Sequence, residues 1–424
     1  MGNGNSNLKS QRSRVKSQRS KVKWVMPYPL LLILYPLTFL LLFFYPDTRH
    51  LAPDTWHLAP ALQAQQPPTV IISPELGSDR RVTFRFRDPN AKEVKVAIEG
   101  RRDPIPMTKD AEGVWSVTTD PLEPDFYGYS FVADGVGLTD PMNPLSKPNL
   151  LFASSEVHVP GPPSLPWELN GVPQGVIHHH FYHSKVVGDD RDFYVYTPPG
   201  YDAKERYPVL YLLHGYSDDA SAWTAVGRAN VILDNLIAEG KAKPMLVVMP
   251  LGYGAPEFVQ RTPQFGSVFR DAKLRARNMD RFREALLEEV IPAVEAAYHV
   301  SAAREMRAIA GLSMGGSESL YTGLNALDHF AYVGSFSAGG LGEEFGAQFP
   351  KLGTSANAQL RLLWIACGTE DGLIQPNRQF RSWLDTKGVH HSDIETPGMH
   401  TWMVWRRNLS AFAPLLFRGS GGGV

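Results

Sequence analysis

The chain has 424 residues, of which 43% are hydrophobic and 20% are charged, an ordinary balance for a globular protein with room for two domains and a tail. The formal net charge is −1, but the first 23 residues contain seven Lys or Arg and no acid, so the rest of the chain is net acidic. This distribution argues against nucleic acid as the main partner. The single cysteine, Cys367, excludes an intrachain disulfide framework.

The amino terminus has the features of a targeting region. Residues 29–45 are almost wholly apolar and come after the basic run, and such a stretch is close to the minimum that spans a bilayer as a helix. Positive charges before an apolar stretch favour export of the chain beyond it. Residues 1–66 are therefore predicted to form a targeting region, either a membrane anchor over about residues 24–45 or a cleaved signal peptide. The small-residue sites near residues 59–64 lie well past the apolar run, which favours the anchor.

Near-identical heptads occur in tandem at residues 10–16 and 17–23, and again at residues 47–53 and 54–60. They indicate duplication in a segment under little structural constraint. Translation starting at Met26 would remove the basic run and weaken the argument for orientation. With the run retained, the rest of the protein is expected in the periplasm or outside the cell.

The next region alternates apolar and polar residues in short runs. Residues 81–87, 93–100, 113–119 and 127–135 show this period of two, with turn residues between them. The pattern predicts an antiparallel, immunoglobulin-like β-sandwich over residues 67–160. Its aromatic residues lie at alternating positions, which favours a core role over sugar stacking: Trp115, Phe126, Tyr127, Tyr129 and Phe131. Proline-rich residues 161–175 are predicted to be a stiff linker.

Beyond the linker, continuously apolar strands alternate with amphipathic segments. Strands are predicted within residues 207–215, 242–250, 306–311, 332–340 and 360–368, and a helix over residues 281–298. Buried strands separated by helices indicate a parallel sheet covered on both faces. Residues 176–418 are thus predicted to be an α/β domain, followed by a disordered tail at residues 419–424.

One motif in this domain points to covalent catalysis. Gly311-Leu312-Ser313-Met314-Gly315 comes after a short apolar strand and precedes a helical run, which is the setting of a nucleophile elbow. A serine hydroxyl needs a histidine base that is oriented by an acid. Asp371, at the end of an apolar strand, and His400, before the last amphipathic segment, occur in that order.

Alternatives to these partners exist nearby. Glu370 could replace Asp371 as the acid, and His390 or His391 could replace His400 as the base. The oxyanion needs two backbone donors, expected at Met314, directly after the serine, and at Tyr216, in the loop after the strand that ends near His214. Residues expected to line a substrate pocket are Trp223, Tyr253, Phe258 and Trp402.

A second cluster is the histidine run at residues 178–183. His178 and His180 would share one face of a strand, so a metal site is conceivable, but the pattern favours a solvated strand. Cys367 lies within a strand and is expected to be a small buried side chain. No metal or organic cofactor is expected.

Four ordered segments carry a family resemblance. GLSMGG, YLLHGYSDD, CGTEDGLI and GMHTWMVWRRNL, within residues 176–417, resemble carbohydrate esterase family one, which contains feruloyl and acetylxylan esterases with an α/β-hydrolase fold. The preceding region, with VTFRFRDPNAKEVKVAIEG and TDPMNP among its segments, resembles carbohydrate-binding module family 48.

The resemblance implies a serine esterase with Ser313 as nucleophile, Asp371 as acid and His400 as base, acting on acylated polysaccharide or oligosaccharide. The nearest alternative is an enterochelin-type siderophore esterase, whose anionic substrate would favour a basic pocket, with Arg261, Arg270 and Arg275 as candidates. An acyltransferase and a catalytically inactive carbohydrate-binding surface protein are further alternatives. The sequence leaves the oligomeric state undetermined.

Overall fold

The structure, a computed structural model, describes residues 70–260, 267–342 and 344–418. The basic run, the repeats, the predicted anchor or signal segment and the predicted tail at residues 419–424 lie outside these residues. Among the helices that are described, none combines the length and the apolar character needed to cross a membrane.

Residues 75–159 form two antiparallel sheets. One has the strand order β1-β2-β6-β5, and the other has the order β4-β3-β7-β10-β9, with β8 paired to β7. All four predicted segments contain a strand. The strands are β1 Glu75–Leu76, β2 Val82–Arg87, β3 Val94–Ile98, β4 Ile105–Pro106, β5 Thr108–Lys109, β6 Val114–Thr118, β7 Asp125–Ala133, β8 Val136–Leu138, β9 Ser146–Lys147 and β10 Ser154–Val159.

The inward-facing residues of the two sheets form a common core. Val82, Phe84, Val96 and Phe131 have no exposed surface, because alternate positions of β2, β3 and β7 point between the sheets. The aromatic residues considered for sugar stacking are all at most 8% exposed. Phe126 alone among them packs with the core of the following domain. These side chains therefore hold the β region together instead of forming an exposed aromatic platform.

The second domain is built on an eight-stranded sheet with the order β11-β12-β14-β13-β15-β16-β17-β18. The strands β13 to β18 run parallel, and β11 and β12 form an antiparallel edge. The predicted strands are β13 to β17, so the predicted α/β class is confirmed. The bounds are β11 Val176–His183, β12 Asp190–Thr197, β13 Val209–Leu213, β14 Leu246–Pro250, β15 Arg307–Leu312, β16 Tyr332–Phe336, β17 Leu362–Gly368 and β18 Ser392–Thr396.

Helices cover both faces of this sheet, as expected for continuously apolar strands. The side chains of α1, α2 and α8 pack on one face, and those of α3 to α7 pack on the other. The described helices are α1 Ala222–Ala225, α2 Ala229–Ala238, α3 Ala272–Ala285, α4 Ile291–Ala297, α5 Met314–Asn325, α6 Phe345–Gln348, α7 Ile374–Thr386 and α8 Trp402–Phe412.

The helix predicted over residues 281–298 differs from the structure at its start. It begins at Ala272, where the Asp271 side chain accepts hydrogen bonds from the amides of Lys273 and Leu274. A π-helical turn, Leu286–Val290, then separates α3 from α4. The first turns of α3 are mostly polar, so an apolar period could not reveal them, whereas the capping aspartate does.

Residues 161–175, predicted to be a stiff spacer, are packed against both domains. The Trp167 side chain is 3% exposed, and its indole N–H donates to Asp125 Oδ1 of β7 at 3.0 Å. The Asn235 side chain of α2 donates to the carbonyl oxygens of Pro166 and Glu168 at 2.8 Å. The segment is thus part of the interface between the β region and the α/β domain.

A buried ion pair lies at the centre of that interface. Arg406 of α8 and Asp125 of β7 have side chains that are 1% and 0% exposed. Arg406 Nη2 donates to Asp125 Oδ1 and to the Phe126 carbonyl oxygen at 2.8 Å, and Nη1 donates to the Val226 carbonyl oxygen at 3.0 Å. Good geometry and additional acceptors offset the loss of hydration that both charges suffer on burial.

Replacing Asp125 by Asn should therefore destabilise the protein strongly, because the buried Arg406 charge loses its counterion. We expect the free energy of unfolding, measured by urea denaturation, to fall by about 3–5 kcal/mol. The control is Asp120→Asn, whose carboxylate is 85% exposed beside Arg81; it should change the value by less than about 1 kcal/mol. Equal effects of the two substitutions would contradict a structural role for the buried pair.

Candidate active site

Ser313 occupies a sharp turn between β15 and α5. Its backbone has φ 52° and ψ −115°, with a positive φ that a non-glycine residue rarely adopts. The turn is held by hydrogen bonds from the Ser313 amide to the Phe336 carbonyl oxygen, at 2.8 Å, and from the Gly339 amide to the Ser313 carbonyl oxygen, at 2.9 Å. Backbone strain of this kind persists only where the surroundings fix it, and it is common at functional sites.

The two glycines of the motif are required by close approach of backbones. A Cβ atom on Gly311 would overlap the backbone of Gly315, and one on Gly315 would overlap the carbonyl oxygen of His214. Strand β15, helix α5 and the end of β13 therefore meet at distances that only glycine allows. Because Leu213 pairs with Gly311, the loop after β13 lies beside Ser313.

Asp371 and His400 lie at the same edge of the sheet, after β17 and β18. His400 Nδ1 is 2.8 Å from Asp371 Oδ2, and His400 Nε2 is 3.0 Å from Ser313 Oγ. The other carboxylate oxygen, Asp371 Oδ1, accepts from the Leu373 amide at 2.8 Å. The structure thus brings the three sequence candidates together into one hydrogen-bonded chain.

Contacts with His400 favour the ionised form of Asp371. Burial opposes ionisation of Asp371, but its hydrogen bond and charge interaction with His400, with further hydrogen bonds such as that from Leu373, hold the pKa of the carboxyl below its ordinary value. An ionised Asp371 can accept a proton from His400 Nδ1, and in that tautomer the Nε2 lone pair faces Ser313 Oγ. The arrangement can therefore accept a proton from the serine hydroxyl.

The alternative partners lie elsewhere. Glu370 is exposed, and the carboxylate that contacts His400 belongs to Asp371. His390 and His391 line a separate cavity with Asn357 and Arg361. His214 is buried, and burial lowers its pKa to about 4; its Nδ1 contacts the Gly215 carbonyl oxygen and its Nε2 accepts from the Gly252 amide. His214 therefore stabilises the loop after β13 through these two contacts.

The two expected oxyanion donors are adjacent to the serine. Met314 is the first residue of α5, and the first amides of a helix have no partner within it. Tyr216 lies in the loop of residues 215–218, here called the 215–218 loop, and lines the same cavity as Ser313 and His400. Met314 thus follows Ser313 in the chain, and Tyr216 lines the cavity that contains Ser313.

A cavity of about 240 Å³ opens above Ser313. It is lined by both domains, and several of its residues carry no motif that sequence reasoning could use. The β region contributes Glu99, Lys147, Asn149, Phe152 and Ser154, and the α/β domain contributes Gly215, Tyr216, Ser217, Asp218, Leu312, Ser313, His400, Trp402 and Trp405.

Of the four residues expected to line a substrate pocket, Trp402 lines this cavity. Trp223 instead lies in the core with no exposed surface, and its ring packs edge-on against Trp402 at 5.1 Å. Tyr253 and Phe258 are 2% and 3% exposed and pack with Met314 behind the serine. Their positions near strand ends suggested the pocket, but apolar side chains at strand ends also fill the core.

Trp405 also lines the cavity, although it was not predicted from the sequence. Its ring packs edge-on against His400 at 4.8 Å.

The histidine run forms the edge strand β11. His179 contacts Asp192 at 2.7 Å, His183 contacts Asp190 at 2.8 Å, and His180 contacts the Tyr298 hydroxyl at 2.6 Å. Over the described ranges, no group of three or more His, Cys, Asp or Glu is arranged to hold a metal ion. Cys367 is buried, at 1% exposed.

Residues 184–416 match the family described as "Putative esterase". The chain belongs to this esterase family. An "Endo-1,4-beta-xylanase/feruloyl esterase" of Xylanibacter ruminicola is 31% identical over 359 residues, covering 81% of this chain and 46% of that protein. The chain thus spans less than half of that relative's length.

Solved structures show the same fold. A ferulic acid esterase from Anaeromyces mucronatus, in complex with ferulic acid, is 28% identical with a TM-score of 0.51 and covers 59% of this chain and 93% of its own. The enterobactin esterase of Shigella flexneri is 21% identical with a TM-score of 0.60, covering 79% of this chain and 92% of its own. At 21% identity, the similarity to the enterobactin esterase shows a shared fold only.

The assignment of Asp371 as the acid of the triad can be tested by substitutions at Asp371 and at the adjacent Glu370. Asp371→Asn places an amide against His400 Nδ1 and favours the wrong tautomer, so kcat for p-nitrophenyl acetate should fall by about 10⁴-fold with the fold retained by circular dichroism. Glu370→Gln, at the adjacent exposed position, should change kcat little. Loss of activity in Glu370→Gln with activity kept in Asp371→Asn would reverse the assignment.

Asp218, in the wall of the cavity, should make stability depend on pH. Its burial raises the pKa to about 7, and hydrogen bonds and the Lys147 charge offset this only in part. The unfolded carboxyl has the lower pKa, 3.8, so the folded state is favoured below that value and loses stability as pH rises towards 7. Asp218→Asn removes this loss.

We therefore expect the free energy of unfolding of Asp218→Asn to exceed that of the wild type at pH 8, with the difference shrinking towards pH 4. The wild type alone should lose up to about 1.4 kcal/mol per pH unit between these limits from this group. A difference between the two proteins that is the same at both pH values would show that Asp218 does not titrate there.

Proposed function

We propose that the protein is a serine carboxylic ester hydrolase in which Ser313 is the nucleophile, His400 the general base and Asp371 the acid that orients it. The observation that carries the proposal is the hydrogen-bonded chain from Asp371 through His400 to Ser313, at 2.8 and 3.0 Å, on a backbone turn that exposes the serine. Membership of the esterase family supports the same chemistry.

In the first step, Ser313 Oγ attacks the ester carbonyl carbon while its proton passes to His400 Nε2. The carbonyl oxygen becomes an oxyanion, which we assign to the amides of Tyr216 and Met314. His400 then gives the proton to the departing alcohol, and the acyl group remains on Ser313. In the second step, water attacks the acyl-enzyme with His400 again as base, and the acid is released.

For the substrate we propose feruloyl or acetyl esters of plant cell-wall polysaccharide. This rests on the relative from Xylanibacter ruminicola, whose name includes feruloyl esterase, and on the fold shared with the ferulic acid esterase of Anaeromyces mucronatus. The cavity offers aromatic surface, since Phe152, Trp402 and Trp405 are among its lining residues. Aromatic side chains suit stacking on a hydroxycinnamoyl ring or a sugar.

The β region, which resembles carbohydrate-binding module family 48, is proposed to shape the catalytic cavity. Five residues of the β region line that cavity, whereas the aromatic side chains of its strands are buried in hydrophobic cores. An export signal or anchor in residues 1–66 would suit a substrate outside the cell and stays a prediction.

A siderophore ester is the second candidate, because the fold likeness to the enterobactin esterase extends over 79% of the chain. Such a substrate is anionic, and Lys147 is a cation at the cavity wall. Lys147, however, is paired with Glu99 at 2.9 Å, which reduces its attraction for an anion. Arg275 lines a different cavity, and Arg270 is exposed, while Arg261 lies outside the described residues.

The full chain and its Ser313→Ala variant should be compared on methyl ferulate, acetylated xylan and enterobactin. We expect release of ferulate or acetate by the wild type and a loss of at least about 10⁴-fold in kcat in Ser313→Ala, because the acyl acceptor is gone. Ser410→Ala serves as the matched control, since that hydroxyl donates to the Arg406 carbonyl oxygen and neither residue lines the cavity.

Each outcome selects one function. Acetate without ferulate would define an acetylxylan esterase with the same triad, and turnover of enterobactin alone would favour the siderophore candidate. If none of the esters is hydrolysed, the catalytically inactive carbohydrate-binding protein is favoured. Activity that survives in Ser313→Ala would contradict the assignment of Ser313 as nucleophile.

A further inference from the structure

The 215–218 loop is hydrogen-bonded to the β region. Asn149 Nδ2, in the segment between β9 and β10, donates to Ser217 Oγ and to Asp218 Oδ1, both at 3.0 Å. The next residue, Leu150, donates its amide to the Ser217 carbonyl oxygen at 2.8 Å. Three hydrogen bonds thus join the β region to the loop that contains Tyr216.

Ser217 is the residue in this loop that most needs external support. It has φ 69°, in the left-handed region, although it carries a side chain. Such a conformation is energetically unfavourable for a residue with a side chain and persists only where surrounding contacts fix it. Its hydroxyl and carbonyl oxygen are the two Ser217 atoms that accept from Asn149 and Leu150. The Ser217 side chain and the peptide between Ser217 and Asp218, directly after Tyr216, are therefore held by contacts with the other domain.

The α/β domain holds the same loop from the opposite side. His214 Nδ1 contacts the Gly215 carbonyl oxygen at 2.8 Å, and the Tyr253 hydroxyl donates to the Asp218 carbonyl oxygen at 2.9 Å. These contacts fix the two ends of the loop. The bonds from Asn149 and Leu150 hold Ser217, directly after Tyr216, and the side chain of Asp218.

The Asn149 side chain is itself rigidly placed. Its Oδ1 accepts from the amides of Leu151 and Phe152, at 3.0 and 2.8 Å. With the amide oxygen engaged on its own segment, the amide nitrogen must point to the 215–218 loop. The Asn149 side chain therefore links the backbone of the β region directly to the 215–218 loop by hydrogen bonds.

We propose that Asn149 is a positioning residue for ester chemistry at Ser313, and that the β region sets the backbone of the 215–218 loop for stabilisation of the oxyanion. The inference rests on the proposed function, since it requires an oxyanion at Ser313. It assigns the β region a part in the chemical step, beyond the shaping of a cavity. Asn149 acts through Ser217 and Asp218 and need not touch the substrate.

Asn143 provides a closely matched control. Its Nδ2 also donates twice, to the Tyr129 hydroxyl and the Glu156 carbonyl oxygen, and its Oδ1 accepts from the Leu145 amide. All of these partners lie within the β region. Asn143→Ala should therefore lower the stability of that region without reaching the 215–218 loop.

The test uses the full chain and diethyl p-nitrophenyl phosphate, which reacts once with an activated serine. Ser313 Oγ forms a bond to phosphorus, the bond from phosphorus to p-nitrophenolate breaks, and the serine proton passes to His400. Negative charge develops on the phosphoryl oxygen, so the rate depends on the oxyanion donors. The second-order rate of p-nitrophenolate release is measured for wild type, Asn149→Ala, Asn149→Ser and Asn143→Ala, with thermal melts of each.

Asn149→Ala and Asn149→Ser should slow the reaction by about 10-fold or more, up to the 10²–10³-fold that complete loss of an oxyanion donor costs. In ester assays kcat should fall and KM should change little. Asn143→Ala should react at nearly the wild-type rate despite a lower melting temperature. A wild-type rate in both Asn149 variants, or equal slowing in Asn143→Ala, would overturn the proposal.

The reagent separates this inference from the choice of substrate. Failure of the xylan, ferulate and enterobactin assays, with rapid phosphorylation of the wild type and slow phosphorylation of Asn149→Ala, would remove the proposed substrates and leave the positioning role intact. Equal release of p-nitrophenolate by wild type and Ser313→Ala would contradict both the assignment of Ser313 as nucleophile and the positioning role of Asn149.

Discussion

The close approach of three backbone segments at Ser313 is the constraint on which the site depends. The end of β13, the end of β15 and the start of α5 meet where Gly311 and Gly315 leave no room for a Cβ atom. Ser313 is held there at a positive φ, with its hydroxyl 3.0 Å from His400 Nε2 in the cavity wall. The close approach also places the loop after β13 next to the serine, so one packing requirement sets both the nucleophile and a candidate oxyanion donor.

The second determinant is the junction between the two domains. Helix α8, which begins shortly after His400, is tied to the β region at two points. The Trp402 amide donates to Glu99 Oε1 at 2.8 Å, and Arg406 pairs with Asp125. Burial alone would raise the pKa of Glu99, but Lys147 and Arg406 hold it below the ordinary value, so an ionised carboxylate is available as acceptor. The position of His400 is therefore linked to the β region as well as to the sheet.

The sequence supported most of the sheet and the choice of Ser313, Asp371 and His400. Period-two alternation identified β2, β3, β6 and β7, and continuous apolar runs identified β13 to β17, because these patterns arise directly from which faces are buried. The triad candidates were recognisable from the glycine motif and from their order along the chain. These features are local, and local patterns are what a single sequence contains.

What could not be predicted depends on contacts between distant residues. Short strands such as β1 and β5 take their form from their partners, and the interface role of Trp167 exists only once the domains are assembled. Trp223 and Trp402 look alike in sequence, yet one fills the core and the other lines the cavity, since the outcome depends on how α8 packs. Lys147 and Asn149 reach the cavity from a domain with no catalytic motif of its own.

The buried pair of Arg406 and Asp125 also limits the exchange of the β region of this chain for another module. Fused modules joined by a free spacer can be recombined without cost, because neither surface is specialised for the other. Here the catalytic domain presents a desolvated guanidinium and the β region presents the matching carboxylate. A foreign module in place of the β region would leave that guanidinium without a counterion, so such an exchange in this chain is expected to destabilise the catalytic domain.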